Sequence, residues 1–272
     1  MTSDAAPTST LEGWARAPFT AAGMTYDCYE KGAGPGVLLI PELPGVTPQV
    51  LGLAEHLVDE GFTVVVPSPF GTPEKPPTGG YILRTVARIC VSSEFRAFAV
   101  NARRPITAWF RAVAASLNAR TPGAGVGVIG MCFTGGFALA TAVDDSVSAS
   151  VVSQPAAPFP LGRARQLDPG LSEEELDAVA GRADGAGFCA LGLRFSEDAN
   201  APRPRFDALK RRLGDAFEVI ELDSAPGNAG GFSPRAHSVL TNEVRDIPGH
   251  PALLARERTV AFLRRQLVPT AG

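Results

Sequence analysis

The residue best placed for nucleophilic chemistry is Cys132, which lies in the stretch GVIGMCFTGGFALA over residues 127–140. An apolar run precedes it and a helix-compatible run follows, so the pattern predicts a strand, a sharp turn with the cysteine at its apex, and a helix. Such a turn is strained and needs glycines where the backbone passes close to the helix. The partial positive charge of the helix N-terminus favours thiolate over thiol. The pattern therefore predicts hydrolysis or acyl transfer by a thiol.

A thiol nucleophile needs a base, and the chain has three histidines. His56 lies inside an amphipathic helical pattern, which indicates a surface or packing role. His250 lies between two prolines at the start of the final predicted helix and stays a possible base. His237 lies in the long loop after the last predicted strand, and parallel sheets bind their ligands beyond the carboxyl ends of the strands. We therefore predict that His237 is the base.

A third group must orient the histidine, and Asp198 is the candidate. It lies in the turn after a predicted strand over residues 190–195, between the nucleophile and the histidine in chain order. Glu197 is the adjacent rival, and an ordinary Asx turn would explain Asp198 without catalysis. The three residues together indicate a catalytic triad more specifically than any one of them does, because Cys132, Asp198 and His237 each follow a predicted strand in the required order.

Glu42 is a fourth candidate, directly beyond the first predicted parallel strand over residues 36–40. The loop at this place can supply a backbone N–H to an oxyanion. We predict that the N–H groups of Leu43 and of Phe133, the residue after the nucleophile, serve as the two oxyanion donors. The spacing alone leaves open that Glu42 is a surface turn residue.

Short apolar strands alternate with amphipathic helical patterns from residue 36 onwards, after a possible hairpin over residues 16–30. The alternation predicts an α/β fold in which one doubly wound, mostly parallel sheet is flanked by helices. We expect a single domain over residues 14–272 and a disordered tail over residues 1–13. Residues 67–105 lack a clear pattern and are weakly helical from 81 to 100, and a loop is predicted over residues 154–169.

Composition excludes several classes of protein. The net charge of −3 and the pI near 5.7 do not suit binding to nucleic acid or to an anionic membrane. No apolar run approaches the ~20 residues of a membrane span. The four cysteines lack the C-x-x-C spacing of zinc sites, and a dense disulfide framework is not indicated. We expect a cytoplasmic protein with reduced thiols, without a metal.

The chain resembles the dienelactone hydrolase family of α/β-hydrolases over about residues 36–267. The resemblance implies a Cys–His–Asp triad that attacks an enol-lactone ester without a metal or organic cofactor. It also implies that Glu42 interacts with the cysteine and helps to generate its thiolate, and that Ser238, together with arginines, holds a substrate carboxylate. It rests on four stretches, which are Glu42 with Leu43-Pro44-Gly45, Gly130-Met131-Cys132 with Gly135-Gly136, Asp198 with Pro202, and His237-Ser238.

The chain departs from the family pattern at three places. Thr134 stands where the elbow usually has glycine, and its side chain either crowds the helix or caps it. No carboxylate-binding arginine aligns within residues 81–104, where Arg84 and Arg96 are the first choices. The arginine expected shortly after the histidine is missing, since Val239-Leu240-Thr241 follow Ser238.

The leading hypothesis is a cysteine-dependent hydrolase whose partner is a small-molecule ester or lactone. A thioesterase or acyl transferase would differ only in the leaving group or the acceptor. A non-catalytic ligand-binding or thiol-sensing protein on the same scaffold is the alternative of a different class. The sequence does not indicate an oligomeric state.

Overall fold

The structure is a computed structural model that describes residues 5–185 and 187–268. Its strands all belong to one sheet. In chain order they are β1 (Ala15–Ala21), β2 (Met24–Lys31), β3 (Gly36–Ile40), β4 (Thr63–Pro67), β5 (Val126–Met131), β6 (Val147–Ser153), β7 (Cys189–Phe195) and β8 (Phe217–Leu222). Across the sheet the order is β1-β2-β4-β3-β5-β6-β7-β8.

Six of these strands, β3 to β8, pair in parallel with one another. The predicted hairpin forms β1 and β2, which pair antiparallel, and β2 also pairs antiparallel with β4. The sheet is therefore mostly parallel, with an antiparallel edge. The predicted doubly wound order is confirmed, because the parallel part begins with β3 in the middle of the sheet and continues with β4 on one side and β5 on the other.

Helices cover both faces of the sheet. They are α1 (Pro48–Asp59), α2 (Gly79–Cys90), α3 (Pro105–Asn118), α4 (Gly135–Thr141), α5 (Arg163–Leu167), α6 (Glu173–Asp184), α7 (Arg203–Leu213) and α8 (Pro251–Leu267). The buried residues of α1 and α8 belong to one apolar core, and those of α3, α4, α6 and α7 belong to a second core on the opposite face. The residues of β3, β5 and β6 are all buried, as expected of parallel strands with helices on both faces.

The parallel strands end at the same edge of the sheet. Beyond β3 lies Glu42, beyond β5 lies Cys132, beyond β6 lies Gln154 and beyond β7 lies Asp198. The loop after β8 carries His237. The fold thus gathers at one edge polar side chains that are up to 195 positions apart in the sequence (from residue 42 to residue 237).

Three segments differ from the sequence-based expectation. Of the predicted disordered tail, residues 1–4 lie outside the described residues, but residues 5–13 contact the domain: the Ser9 N–H donates to the Pro48 carbonyl at 3.0 Å. The weak pattern over residues 81–100 resolves into helix α2, which ends at Cys90, and an irregular stretch. The loop predicted over residues 154–169 contains the short helix α5, which a five-residue pattern does not reveal.

No helix in the described part of the chain is long and apolar enough to cross a membrane.

Candidate active site

The turn that carries Cys132 has the strained geometry of a nucleophile elbow. Cys132 has a φ of +54°, in the left-handed region that few residues other than glycine adopt. A single turn of 3-10 helix, Cys132–Thr134, follows and leads into α4. A β-carbon at Gly130 would lie 2.3 Å from the Thr134 carbonyl oxygen, so glycine is required where strand and helix approach each other. The conformation holds the partly buried thiol at the apex of the turn.

Thr134 is accommodated below the elbow rather than crowding it. Its side chain is fully buried, and its Oγ1 accepts a hydrogen bond from the Met131 N–H at 3.0 Å. The hydroxyl also lies 3.2 Å from the carbonyl oxygens of Ile40 and Pro41, to which it can donate. The threonine therefore connects the elbow to the end of β3, and it makes no side-chain cap to α4.

Asp198 and His237 lie together at the same edge of the sheet. Oδ2 of Asp198 is 2.6 Å from Nδ1 of His237, and the carboxylate is almost fully buried. The other oxygen, Oδ1, accepts the Asn200 N–H at 2.9 Å, which fixes the carboxylate plane in an Asx turn. With Nδ1 engaged by the acid, the imidazole can direct Nε2 at the nucleophile.

His237 also lies beside Cys132. Burial by itself lowers the pKa of His237, but the charge of Cys132 and hydrogen bonds to Asp198 and Cys132 outweigh burial and hold the pKa well above its ordinary value. The environment therefore favours the imidazolium when the sulfur is ionised. The structure brings Cys132, His237 and Asp198 close together at this edge of the sheet.

The rival residues lie elsewhere. Glu197 is exposed, and its backbone N–H donates to Ser224 Oγ at 3.1 Å. His250 caps the start of α8; its Nε2 lies 3.3 Å from the Gly230 carbonyl oxygen and its ring packs against Phe232. Burial lowers the pKa of both His250 and His56. His56 lies within α1, as predicted.

Glu42 is buried, which excludes the surface turn left open by its spacing. Its Oε2 accepts from Gln154 Nε2 at 3.1 Å and from Ser238 Oγ at 2.9 Å, and its Oε1 accepts from Thr241 Oγ1. Burial raises the pKa of Glu42, while these three donors and the nearby charge of His237 oppose that rise. No hydrogen bond joins Glu42 to Cys132 within the described residues, and the interaction implied by the resemblance stays a prediction.

Sequence reasoning missed the role of Gln154 and noted Thr241 only where an arginine was expected. The available signal for Gln154 is its place directly beyond β6, at the edge that carries the other polar groups. Nothing local marks Thr241 as a partner of Glu42, because the two residues are 199 positions apart.

The two predicted oxyanion donors are positioned by the loops after β3 and β5. Leu43 begins the turn in which the Gly45 N–H donates to the Glu42 carbonyl at 2.8 Å. A β-carbon at Gly45, which has a φ of +130°, would lie 2.6 Å from the Phe70 carbonyl oxygen, so this turn requires glycine. Among the backbone hydrogen bonds outside helices and strands of the described residues, none has the Leu43 N–H as its donor. The Phe133 N–H lies in the first turn of the helical segment that follows the elbow, where an N–H has no acceptor within the helix.

The predicted carboxylate-binding groups are not assembled. The Ser238 hydroxyl donates to Glu42. Arg96 is exposed and donates to the Arg103 carbonyl at 3.1 Å. Arg84 is exposed on α2 and lines a cavity of about 850 Å³ between that helix and the loop after β4, with Tyr81 among its other lining residues.

This cavity lies next to the elbow but is not lined by Cys132, Asp198 or His237. Phe70 and Phe95 form part of its wall, and the ring of Phe95 packs 5.8 Å from that of Phe133. The aromatic rings therefore stand between the cavity and the residue after the nucleophile. Cys132, Asp198 and His237 lie together outside this cavity.

No group of three or more metal-ligating side chains that could hold a metal ion occurs within residues 5–185 and 187–268.

Comparison with known proteins gives the family. The model of the dienelactone hydrolase family matches residues 24–243. None of the curated proteins compared with the chain matches its sequence.

Several solved structures share the fold. The dienelactone hydrolase-like promiscuous phosphotriesterase P91 from metagenomic libraries is 15% identical, with a TM-score of 0.64 over 93% of this chain and 98% of that protein. A dienelactone hydrolase from Anabaena variabilis ATCC 29413 is 11% identical, with a TM-score of 0.58 over 93% and 98%. An α/β-hydrolase from Penicillium sp. sh18 is 13% identical, with a TM-score of 0.58 over 93% and 99%. These similarities show a shared fold.

The family model matches most of the chain, and the solved structures share its fold. The chain therefore belongs to the dienelactone hydrolase family of α/β-hydrolases and is a hydrolase of ester or lactone bonds.

Proposed function

We propose that the enzyme hydrolyses small esters or lactones through a Cys132–His237–Asp198 triad and an acyl-cysteine intermediate. The observation that carries the proposal is the arrangement of the three side chains: a thiol on a strained elbow beside a histidine whose Nδ1 lies 2.6 Å from a buried carboxylate. Each group has the neighbour that its role requires.

In the first half of the reaction, the Cys132 thiolate attacks the carbonyl carbon and forms the S–C bond. The carbonyl oxygen becomes an oxyanion, which the N–H groups of Leu43 and Phe133 hold. The C–O bond to the leaving group then breaks, and the His237 imidazolium gives its proton to the departing oxygen. In a lactone the leaving group stays attached to the acyl part as a hydroxyl or enol.

In the second half, His237 takes a proton from a water molecule that attacks the thioester carbon. The tetrahedral intermediate collapses, the C–S bond breaks, and the acid leaves while Cys132 returns to the thiolate. Asp198 stays ionised throughout and stabilises the imidazolium, so the triad ends as it began.

A catalytic thiol has to stay reduced, so the proposal places the enzyme in the cytoplasm. The four cysteines, all within the described residues, are free. A thioesterase or acyl transferase would use the same groups with another leaving group or acceptor, and these variants of the proposal are separated by the choice of substrate.

The test is a panel of small esters, lactones and thioesters assayed with the wild type, with Cys132→Ala and with Cys189→Ala as a matched control. We expect Cys132→Ala to lose activity to the background rate and Cys189→Ala to keep it, because Cys189 begins β7 away from the elbow. Equal rates for the wild type and Cys132→Ala would refute the triad, and equal rates at the background level would favour a non-catalytic binding protein on this scaffold.

A further inference from the structure

Residues 7–14 form a strap that lies along the first turns of α1. The Ser9 N–H donates to the carbonyl oxygen of Pro48, the first residue of that helix, at 3.0 Å. A β-carbon at Gly52 would lie 2.3 Å from the Pro7 carbonyl oxygen. The close approach of the strap to the helix therefore requires glycine at this position.

Two apolar side chains hold the strap against the domain. Trp14 is buried, and its Nε1 donates to Glu55 Oε2 at 3.2 Å. Leu11 packs against the same apolar core as the buried residues of α1. The Trp14 N–H donates to the Leu11 carbonyl at 3.1 Å, which closes a turn. The strap is therefore an ordered part of the domain.

The strap reaches the loop after β4 through Glu74. Glu74 Oε1 accepts the Leu11 N–H at 2.9 Å. The backbone N–H of Glu74 in turn donates to the Val46 carbonyl at 2.7 Å. Glu74 has a φ of +62°, a left-handed conformation that a glutamate keeps where its neighbours hold it. One residue thus connects the strap to the segment that follows β3.

The loop after β4 packs closely against the turn that presents the Leu43 N–H. A β-carbon at Gly45 would lie 2.6 Å from the Phe70 carbonyl oxygen. A β-carbon at Gly71 would lie 2.0 Å from the Pro44 carbonyl oxygen. The two segments therefore meet backbone to backbone, and a shift of the loop moves the neighbouring turn.

The other support of this loop comes from α2. The Tyr81 hydroxyl accepts the Thr72 N–H and can donate to the carbonyl of Thr72 at 3.3 Å or of Pro44 at 3.5 Å. The Lys75 ammonium lies 4.4 Å from the centre of the Tyr81 ring. Residues 71–76 are exposed or half-buried. Because the loop buries little surface, each hydrogen bond that holds it contributes to its position.

From these contacts we infer that Glu74 is a positioning residue for the proposed oxyanion donor Leu43, and that the strap acts on the reaction through Glu74. The inference rests on the proposed function and adds a residue outside the triad. An oxyanion donor stabilises the transition state when its N–H is aimed at the developing charge. Loss of the strap contact should therefore lower kcat and leave KM nearly unchanged.

The experiment measures two reactions of Cys132 in the same variants. Hydrolysis of 4-nitrophenyl acetate passes through an oxyanion. Alkylation by iodoacetamide, in which the thiolate displaces iodide, does not. Ester rates are corrected for the rate with Cys132→Ala, and alkylation of Cys132 is followed by peptide mapping. A variant that disturbs only the oxyanion donor should slow the first reaction and spare the second.

Glu74→Ala removes the acceptor of the Leu11 N–H, so kcat for the ester should fall at least about threefold, with KM within about twofold of the wild type. Glu74→Gln keeps an acceptor oxygen and should retain kcat within about twofold. Both variants should alkylate at Cys132 within about twofold of the wild-type rate, because the elbow and His237 lie on other loops.

Gly52→Ala tests the strap itself. Alanine is a better helix former than glycine, but its methyl group meets the Pro7 carbonyl and displaces the strap. The kcat should again fall at least about threefold, and adding Glu74→Ala should lower it by less than about twofold more, because both changes act through one contact. The matched control is Glu12→Ala. Glu12 is an exposed carboxylate of the strap whose side chain makes no hydrogen bond or ion pair within the described residues. Its kcat should equal that of the wild type.

Three results would overturn the inference. They are a wild-type kcat in Glu74→Ala, an equal loss in Glu74→Gln, and an alkylation rate that falls together with kcat, which would show a general disturbance of the site. Glu74 is exposed, so its variants decide the question even if Gly52→Ala does not fold. If the wild type hydrolyses the ester no faster than Cys132→Ala, the proposed function itself fails.

Discussion

Replacing Asp198 by asparagine should disable the base while leaving its surroundings in place. The Asp198 carboxylate lies 2.6 Å from His237 Nδ1 and is almost fully buried, so no water can substitute for it. Asparagine keeps an oxygen that can accept the Asn200 N–H, and the Asx turn should therefore survive. What is lost is the negative charge that stabilises the imidazolium and selects the tautomer of His237.

The size of the effect follows from the contact that is lost. A hydrogen bond to a charged group contributes about 1.5–3 kcal/mol, and each 1.4 kcal/mol corresponds to a factor of ten. We expect kcat/KM of Asp198→Asn for a neutral ester to fall between about 10-fold and 150-fold, and further if the wrong tautomer dominates. The pKa of His237 should also fall, because Asp198 is among the groups that raise it.

The assay is the pH dependence of kcat/KM for the wild type, Asp198→Asn and the control Glu197→Gln. Glu197 is the exposed carboxylate of the same turn, and its removal should leave both the rate and the pH profile within twofold of the wild type. A loss in Glu197→Gln that equals or exceeds that in Asp198→Asn would show that the orienting acid is assigned to the wrong residue.

Three further outcomes are expected. Limiting iodoacetamide at pH 8 should label Cys132 first in peptide maps, since burial raises the pKa of Cys28 to about 12 and leaves it about 10⁻⁴ ionised; even labelling would contradict this. His237→Ala should lower kcat/KM by about 10²–10⁴-fold and His250→Ala by less than threefold in folded protein; comparable losses would move the base to α8. Thr134→Val should lower the unfolding free energy by about 1–3 kcal/mol in urea titrations, because it leaves the buried Met131 N–H without its acceptor; unchanged stability would contradict that role.

The fold and the three residues of the proposed triad can be predicted from the sequence because each depends on a local pattern. Apolar runs mark the parallel strands, and the elbow has its glycines next to Cys132. Asp198 and His237 are found because ligand groups lie beyond the carboxyl ends of strands.

The surroundings of Glu42 could not be predicted, because they depend on contacts between distant segments. Gln154 and Thr241 reach the carboxylate from positions 112 and 199 residues away, and neither has a distinctive neighbourhood. The direction of the Ser238 hydroxyl likewise depends on where Glu42 lies. The weak pattern over residues 81–100 does not indicate where the side chains of Arg84 and Arg96 point, and in the structure both residues lie on the surface.

The most direct test of the account is to trap the acyl-enzyme. The wild type is mixed with 4-nitrophenyl acetate, quenched in acid during turnover, and mapped by peptide mass spectrometry. The account predicts one acetyl group on the peptide that contains Cys132, and none on that peptide from Cys132→Ala. Turnover at an undiminished rate with the acetyl group on another residue, or with Cys132→Ala as active as the wild type, would contradict the claim that Cys132 is the nucleophile.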